Sequence, residues 1–495
     1  MMFSLVKNVC ARIEKRNVHT SDGKTCGIHS RVSQSAYTQA TDSISEIGMK
    51  QHLKESKFYE TLSKKTVKCT LCPRGCVLGE SQTGFCKVRQ NIEGKLYNLN
   101  YGLSTYKVVE PIETNAIFHH HPGEKALAIG TIGCNLDCSF CQAWRYSKID
   151  EIRKFDCFAH YSPEDIVKSA QKLNLKVLSW TFNDPIAWFE FVLDTAKIAK
   201  ENGIESIFKS NHFINEKPLR ELTKHVSIFS ISIKSIREDF YKKYCKGSVK
   251  PVLETARILK KLDKHIEVCN LVIPTKNNSP EDISDLVSWV KANLGVETPL
   301  HFARFHPEYK MTNIARTPIQ DITIARRIAE KSGMKYVYSG NVFDDEGLNT
   351  YCSKCHNLLI TRHGENTHIR NKHPVFCDKC KTPHTVWFGS RSRRTNQKIL
   401  THNWKEDFWS IHLQLNNKSS EKQSVVLVNI FNNRRKRNIL RFKRINVDPK
   451  EKIRYSISRI NPNHIKTAIT YEESVEASIY ENPDRAYYSL GRAHK

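Results

Sequence analysis

From residue 126 to residue 340 the chain alternates short apolar, β-branched runs with longer segments of mixed polarity. The runs at 126–130, 176–182, 205–211, 228–235, 266–274, 300–305 and 335–339 predict buried strands. The intervening segments open on helix start signals. Ser162-Pro163-Glu164-Asp165 supplies an N-cap, a first-turn proline and acids at the positive end of the helix dipole, and Ser279-Pro280-Glu281-Asp282 repeats the device. Gly203, Gly295 and Gly333 predict helix ends. Alternation of this kind predicts an α/β core, a parallel sheet with helices outside it, either open or closed into a partial barrel. In such folds the active site lies beyond the carboxyl ends of the strands.

The flanks read differently. Residues 49–65 predict a helix leading into a first group of cysteines, and Glu93-Gly94 predicts a turn between two strand-like runs. Beyond Phe388 the runs at 425–431, 439–447, 452–460 and 468–479, separated by Asn-rich turns, predict a small all-β appendage. At the start, Met2, Phe3, Leu5, Val6, Val9 and Ile13 fall at helical spacing, and Lys7, Arg12, Lys15 and Arg16 face only Glu14. That stretch fits either a mitochondrial presequence or a disordered extension. The expected organisation is an extension at 1–48, a four-cysteine metal module at 49–125, the α/β core at 126–345, a zinc-ribbon-like module at 346–388 and the basic β tail at 389–495. No apolar run approaches the roughly 18 residues of a membrane span.

Cysteine spacing turns this outline into chemistry. Of 16 cysteines, eleven fall into groups of four, three and four, which is metal arithmetic and calls for a reducing compartment, mitochondrial or cytoplasmic. Cys10, Cys26, Cys157, Cys245 and Cys269 remain as ordinary free thiols. The central group, Cys134, Cys138 and Cys141, has C-x3-C-x2-C spacing directly after the strand at 126–130. Thiolates are the usual ligands of iron–sulfur clusters, and three of them on a four-iron cubane leave one iron open. Cys69, Cys72, Cys76 and Cys86 fall within 18 residues and are the right set for a structural zinc or for an auxiliary cluster. Cys352, Cys355, Cys377 and Cys380 form two C-x2-C knuckles separated by 21 residues, which is zinc-ribbon spacing. His119-His120-His121 resembles a metal tract, but consecutive residues of an extended chain point to opposite faces, so packing or pocket-rim roles are predicted instead.

The central motif, with the aromatic Phe140 just before its third cysteine, resembles the signature of the radical S-adenosylmethionine (SAM) superfamily. The resemblance implies a partial (βα)6-type barrel and a 4Fe–4S cluster whose open iron binds SAM. Reductive cleavage of SAM would give a 5′-deoxyadenosyl radical that abstracts hydrogen from a substrate. The strand ends would then line the SAM pocket: Asp184 for the methionine ammonium, Asn211 for ribose hydroxyls or the carboxylate, Lys234 for a carboxylate or for orienting substrate, with Phe140 and Ser210 also cofactor-binding and His306 at a further strand end. Each of these positions also suits a helix cap or a solvated strand end.

The order of motifs narrows the resemblance to the AmmeMemoRadiSam-system enzymes, relatives of the pyruvate formate-lyase activating enzymes. It rests on Cys69-Thr70-Leu71-Cys72-Pro73-Arg74-Gly75-Cys76, Glu110-Pro111-Ile112-Glu113, His121-Pro122-Gly123, Gly133 to Trp144, Thr181-Phe182-Asn183-Asp184-Pro185, Pro299-Leu300-His301-Phe302, Gly340-Asn341-Val342 and the ribbon. The family usually has asparagine at Ala143, glutamate at Asp184, glycine at His212 and aspartate at Ser232. The resemblance implies a protein or peptide substrate, a flavodoxin- or ferredoxin-like electron donor, and Memo-like and Amme-type partners.

A net charge of +27 adds one alternative, an RNA substrate or other polyanion, against the plainer reading of solvated lysine-rich faces. Arg434 to Arg437 with Arg441, Lys443 and Arg444 likewise suit either nucleic acid or a charge-protected sheet edge. A zinc scaffold without enzymatic activity is the remaining alternative.

Overall fold

The computed structural model describes residues 53–386 apart from 151, 153–157, 343–344, 365 and 372–375, and beyond 386 the backbone of seven strands. The expectations for residues 1–48, Cys157 and Arg434 to Arg437 lie outside the described residues. The chain divides into two compact units: one holds the described residues up to Val375 with His384–Val386, the other Phe376–Pro383 with the strands after Trp387.

The first unit is built on one eight-stranded sheet. Its strands are β1 (Tyr106–Pro111), β2 (Lys125–Gly130), β3 (Val177–Trp180), β4 (Glu205–Ser210), β5 (Ile228–Ser232), β6 (His265–Val272), β7 (Leu300–Arg304) and β8 (Val337–Gly340). They lie in sequence order across the sheet, and every neighbouring pair from β2 to β8 is parallel. β1 lies outside the seven predicted strands and pairs antiparallel with β2. The crossover helices are α1 (Pro163–Lys172), α2 (Phe189–Glu201), α3 (Glu216–Leu222), α4 (Lys250–Lys261), α5 (Pro280–Asn293) and α6 (Ile319–Lys331). A parallel sheet of this order with helical crossovers fits a partial barrel.

The helix boundaries follow the local chemistry. Ser162 Oγ accepts from Asp165 N at 3.1 Å while Asp165 accepts from Ser162 N at 2.9 Å, a complete capping box. Ser279 caps α5 through Asp282 N in the same way. Gly203, Gly295 and Gly333 adopt φ of 69°, 95° and 92°, the left-handed stop that a glycine takes without strain. Alternation along the strands gives two apolar layers. Leu127, Ile129, Trp180, Phe208 and Phe229 pack with Val192, Ala196 and Leu219 of the helices, while Ala126, Val177, Ile207 and Ile228 gather with Ile112 and Ile117.

Residues 49–65 correct an expectation. Their described part forms short strands, Lys54–Glu55 and Tyr59–Thr61, rather than a helix. These strands join two three-stranded sheets whose other members come from residues 67–98. Phe58 is the residue that matters here: it is buried edge-on against Phe189 at 5.4 Å, and Thr70 N donates to its carbonyl. One apolar anchor and sheet pairing replace the apolar stripe a helix would need. The module is clamped to the core by a buried ion pair, Arg89 with Glu190 of α2 at 2.5 Å, both side chains at most 2% exposed.

A hairpin-built sheet, Thr350–Tyr351, Leu358–His363 and Asn366–Ile369, follows β8. In the second unit the tail strands form antiparallel sheets of four and three strands, as the all-β reading predicts. The single run expected at 468–479 is two strands, His464–Tyr471 and Val475–Asn482.

Candidate active site

The loop bearing Cys134, Cys138 and Cys141 leaves the carboxyl end of β2, and its shape is imposed from several sides. Asn183 at the end of β3 accepts from Thr131 N at 3.1 Å and donates to the carbonyls of Ile132 and Gly133 at 3.1 and 3.0 Å. Gly133 has φ 87°, and a Cβ there would stand 2.7 Å from the carbonyl oxygen of Cys86. Only glycine lets the loop approach the first cysteine group this closely. On the far side a π-helical turn, Tyr241–Cys245, latches the loop: Asp137 N donates to Cys245 O at 2.9 Å and Ser139 N to Tyr244 O at 2.8 Å.

All three thiols are buried enough that their pKa values rise, Cys134 and Cys141 through desolvation, Cys138 through a hydrogen bond with Cys245 and then desolvation. Cys245 is a buried free thiol, as expected, and it neighbours the motif. Lys148 stands beside the same group. Burial opposes its charge, yet nearness to Cys134, Cys141 and Cys138 outweighs that and raises its pKa. Its ammonium also donates to Leu136 O and lies 3.5 Å from Asp137. Metal binding requires thiolates, and a buried cation beside three of them favours that form.

The strand-end residues converge here too. Asp184 is 5% exposed; Oδ1 accepts from Ile186 N at 3.1 Å and from Ser210 Oγ at 2.9 Å, and Oδ2 accepts from Asn211 N at 2.7 Å. It therefore caps the 3-10 turn Pro185–Trp188 and ties β3 to β4. Ser210 Oγ also lies 3.2 Å from Oδ2, so its hydroxyl is shared between the two carboxylate oxygens. Burial raises its pKa, against hydrogen bonds from Asn211, Ile186 and Ser210 and the charge of Lys234. Asn211 Nδ2 donates to Asn135 Oδ1 at 2.9 Å and lies 3.7 Å from Cys134 Sγ, an N–H aimed at a ligand sulfur. The backbone of Lys234 is pinned by the Tyr241 hydroxyl at 3.1 Å and by Asn277 Nδ2 at 2.7 Å; its charge acts on Cys138, Asp184 and Cys269. Gln142, next to Cys141, lies 3.0 Å from His306 Nδ1, and Trp144 donates to Glu308 at 3.0 Å. Phe140 is packed in the core near Phe240.

Cys69, Cys72, Cys76 and Cys86 are also gathered, each within electrostatic reach of others in the set. Desolvation pushes Cys72 up to about 12 and Cys86 up to about 11. Arg74 bridges from this module: its Nε donates to Asn135 O at 2.7 Å. Each ribbon knuckle closes on a tight turn, Cys352 N donating to Asn357 O at 2.8 Å in one unit and Cys377 N to Thr382 O at 2.9 Å in the other.

The sequence profile of the Radical SAM superfamily matches residues 129–290. An uncharacterized protein, MJ0808 of Methanocaldococcus jannaschii, is 41% identical over 331 residues, covering 66% of this chain and 97% of the relative. The chain belongs to the radical SAM superfamily. A domain of a pyruvate-formate lyase-activating enzyme from Bacteroides vulgatus aligns at 14% identity with a TM-score of 0.30, covering 33% of this chain and 98% of that one. Streptococcus suis SuiB bound to S-adenosylmethionine aligns at 14% identity with a TM-score of 0.35, covering 43% of this chain and 49% of that one. As a radical SAM protein, the chain is an enzyme of radical chemistry whose family uses a 4Fe–4S cluster and SAM. Cys134, Cys138 and Cys141 fit that cluster in number, donor type and charge environment. Lys148, Arg74, Asn183 and Cys245 are not among the site residues that the sequence predicts. Arg74 and Asn183 stand inside recognised motifs, but Lys148 and Cys245 carry no spacing signal and are found only by folding.

Proposed function

We propose that this radical SAM enzyme abstracts hydrogen from a protein or peptide substrate. The observation that supports the site most directly is the convergence of Cys134, Asn211, Asp184 and Lys234 at the carboxyl ends of β2 to β5. The cluster and SAM, when bound, supply the carbon-centred radical. The chain's own residues do the rest. Cys134, Cys138 and Cys141 hold the cluster, and Asn211 and Lys148 stabilise thiolate charge. The Asp184 carboxylate would accept from an ammonium group, Lys234 would meet a carboxylate, and burial of the strand ends would keep water from a reactive radical. The protein or peptide substrate rests on motif order, as do Memo-like and Amme-type partners. A flavodoxin- or ferredoxin-like protein would deliver the electron. We assign a structural zinc to the ribbon, and to the first cysteine group either zinc or an auxiliary cluster.

The test is anaerobic reconstitution with iron and sulfide, followed by dithionite and SAM. Wild type and Cys245→Ser are expected to form 5′-deoxyadenosine, and Cys138→Ala is not. No product from wild type, or equal product from Cys138→Ala, overturns the radical reading. Loss of iron in Cys245→Ser would make that thiol a fourth ligand and close the open iron.

A further inference from the structure

At the opposite end of the sheet, the amino-terminal end, a second group of side chains converges. His120 Nε2 lies 3.3 Å from both carboxylate oxygens of Glu205, the first residue of β4, and His121 Nε2 lies 2.5 Å from Glu205 Oε2. One ligand atom from each of the three lies within 4.8 Å of the other two. Two donors held about 2.1 Å from one ion stand roughly 3–3.5 Å apart, so the His120 spacing already suits a shared ion and the His121 contact need only open slightly. The expectation that neighbouring histidines point apart fails for a local reason. His121 is not extended: its φ is 50°, the left-handed region, and Gly123 two residues on has φ 80°. The turn brings the His120 and His121 rings to 4.6 Å between centroids, at 77°. His119 does leave the group, its ring held by the Tyr338 hydroxyl at 2.6 Å and Thr385 at 2.8 Å.

The pair is rigidly presented. Glu267, fully buried in β6, accepts from Phe118 N and His119 N at 2.9 and 2.8 Å, fixing the backbone just before the two rings. His265 and His301 hold Glu267 in turn at 2.9 and 2.7 Å. Ser227 Oγ reaches the other Glu205 oxygen at 3.4 Å. The histidine side chains are 7% and 6% exposed and that of Glu205 is 32% exposed, so solvent has access on the carboxylate side to complete a coordination shell.

We propose that His120, His121 and Glu205 form a binding site for a divalent zinc-class ion, distinct from the cysteine sites. Two imidazole nitrogens and one carboxylate oxygen are a borderline donor set that zinc accepts, with water as the fourth ligand. The ion would tie the loop after β1 to the start of β4, far along the strands from Cys134. Second-sphere contacts to Glu205 and to the backbone of His119 are the kind that orient ligands in such sites.

The experiment uses the full chain with its cluster reconstituted, equilibrated with excess zinc and then freed of loose metal. Elemental analysis of wild type is compared with Glu205→Gln and with the double variant His120→Asn, His121→Asn, each checked for fold by circular dichroism. Loss of one zinc per chain in both, with iron unchanged, is the expected result. Equal zinc in folded variants and wild type overturns the proposal. Should the variants not fold, anomalous diffraction from wild-type crystals at the zinc edge decides. A peak between the two Nε2 atoms and the Glu205 carboxylate supports the site, and its absence overturns it.

Discussion

Asn211 shows how much one side chain carries. It caps its own turn through Phe213 N at 2.8 Å, joins Asn135, and points an N–H at Cys134 Sγ. Replacing it with alanine removes an outer partner of a cluster ligand, a change that typically costs about 10–100-fold in metal affinity or activity. The yield of 5′-deoxyadenosine per cluster for Asn211→Ala checks this. Next to it, His212 sits at φ 56°, a left-handed conformation that glycine adopts with less strain. Burial first, and then the Lys234 charge, lower its pKa to about 4 against a backbone hydrogen bond to Ser210 that raises it. The folded state therefore binds fewer protons than the unfolded chain between pH ~6.5 and ~4, so stability rises with pH across that window. On acidification from pH 7 to pH 5, His212 is expected to cost about 2 kcal/mol, roughly 1.4 kcal/mol per pKa unit over the titrated range. Chemical denaturation at the two pH values, with His212→Gln showing a smaller loss, is the measurement.

Among the elements, the join between the N-terminal module and α2 includes a desolvated ion pair beside the Phe58–Phe189 contact. Arg89 makes two contacts to Glu190, at 3.1 and 2.5 Å, and a third to Ser56 at 2.6 Å. Burial opposes its charge, but Glu190 and Cys69 raise its pKa, so the guanidinium stays charged. Removing one partner strands the other in the interior, at about 3–5 kcal/mol. Glu190→Ala is expected to lower the unfolding free energy by that amount, and Arg89→Met with Glu190→Leu to recover part of it, both read by chemical denaturation. Periodicity and capping make the core helices and the seven parallel strands legible, since each is bounded by local chemistry. The short strands at Lys54–Glu55 and Tyr59–Thr61 are not legible in this way. Lys54 pairs with Asn98 and Tyr59 with Cys69, and no local pattern names such partners.

For the whole molecule, net charge bears on the electron donor proposed above. The chain carries +27 at pH 7, and no helix among the described residues is long and apolar enough to cross a membrane. An acidic electron donor would be drawn to it over a distance that salt shortens, from about 30 Å at 0.01 M to about 10 Å at 0.1 M. Cluster reduction by a flavodoxin-type donor is therefore expected to slow by at least about tenfold between those ionic strengths, read by stopped-flow absorbance. A rate indifferent to salt would point to an uncharged docking face.

Spacing alone singled out the three cysteine groups, because thiols paired on a tight turn are the usual way a chain presents ligands to a small centre. It also determined the parallel core, because buried strands and capped helices announce themselves within a few residues. Tertiary structure decided the surroundings. Lys148, Cys245 and Arg74 reach the cysteines from separate segments, and His120 meets Glu205 across 85 positions of sequence. Such meetings depend on strand order, and at His121 on one left-handed turn, neither of which a run of residue types records.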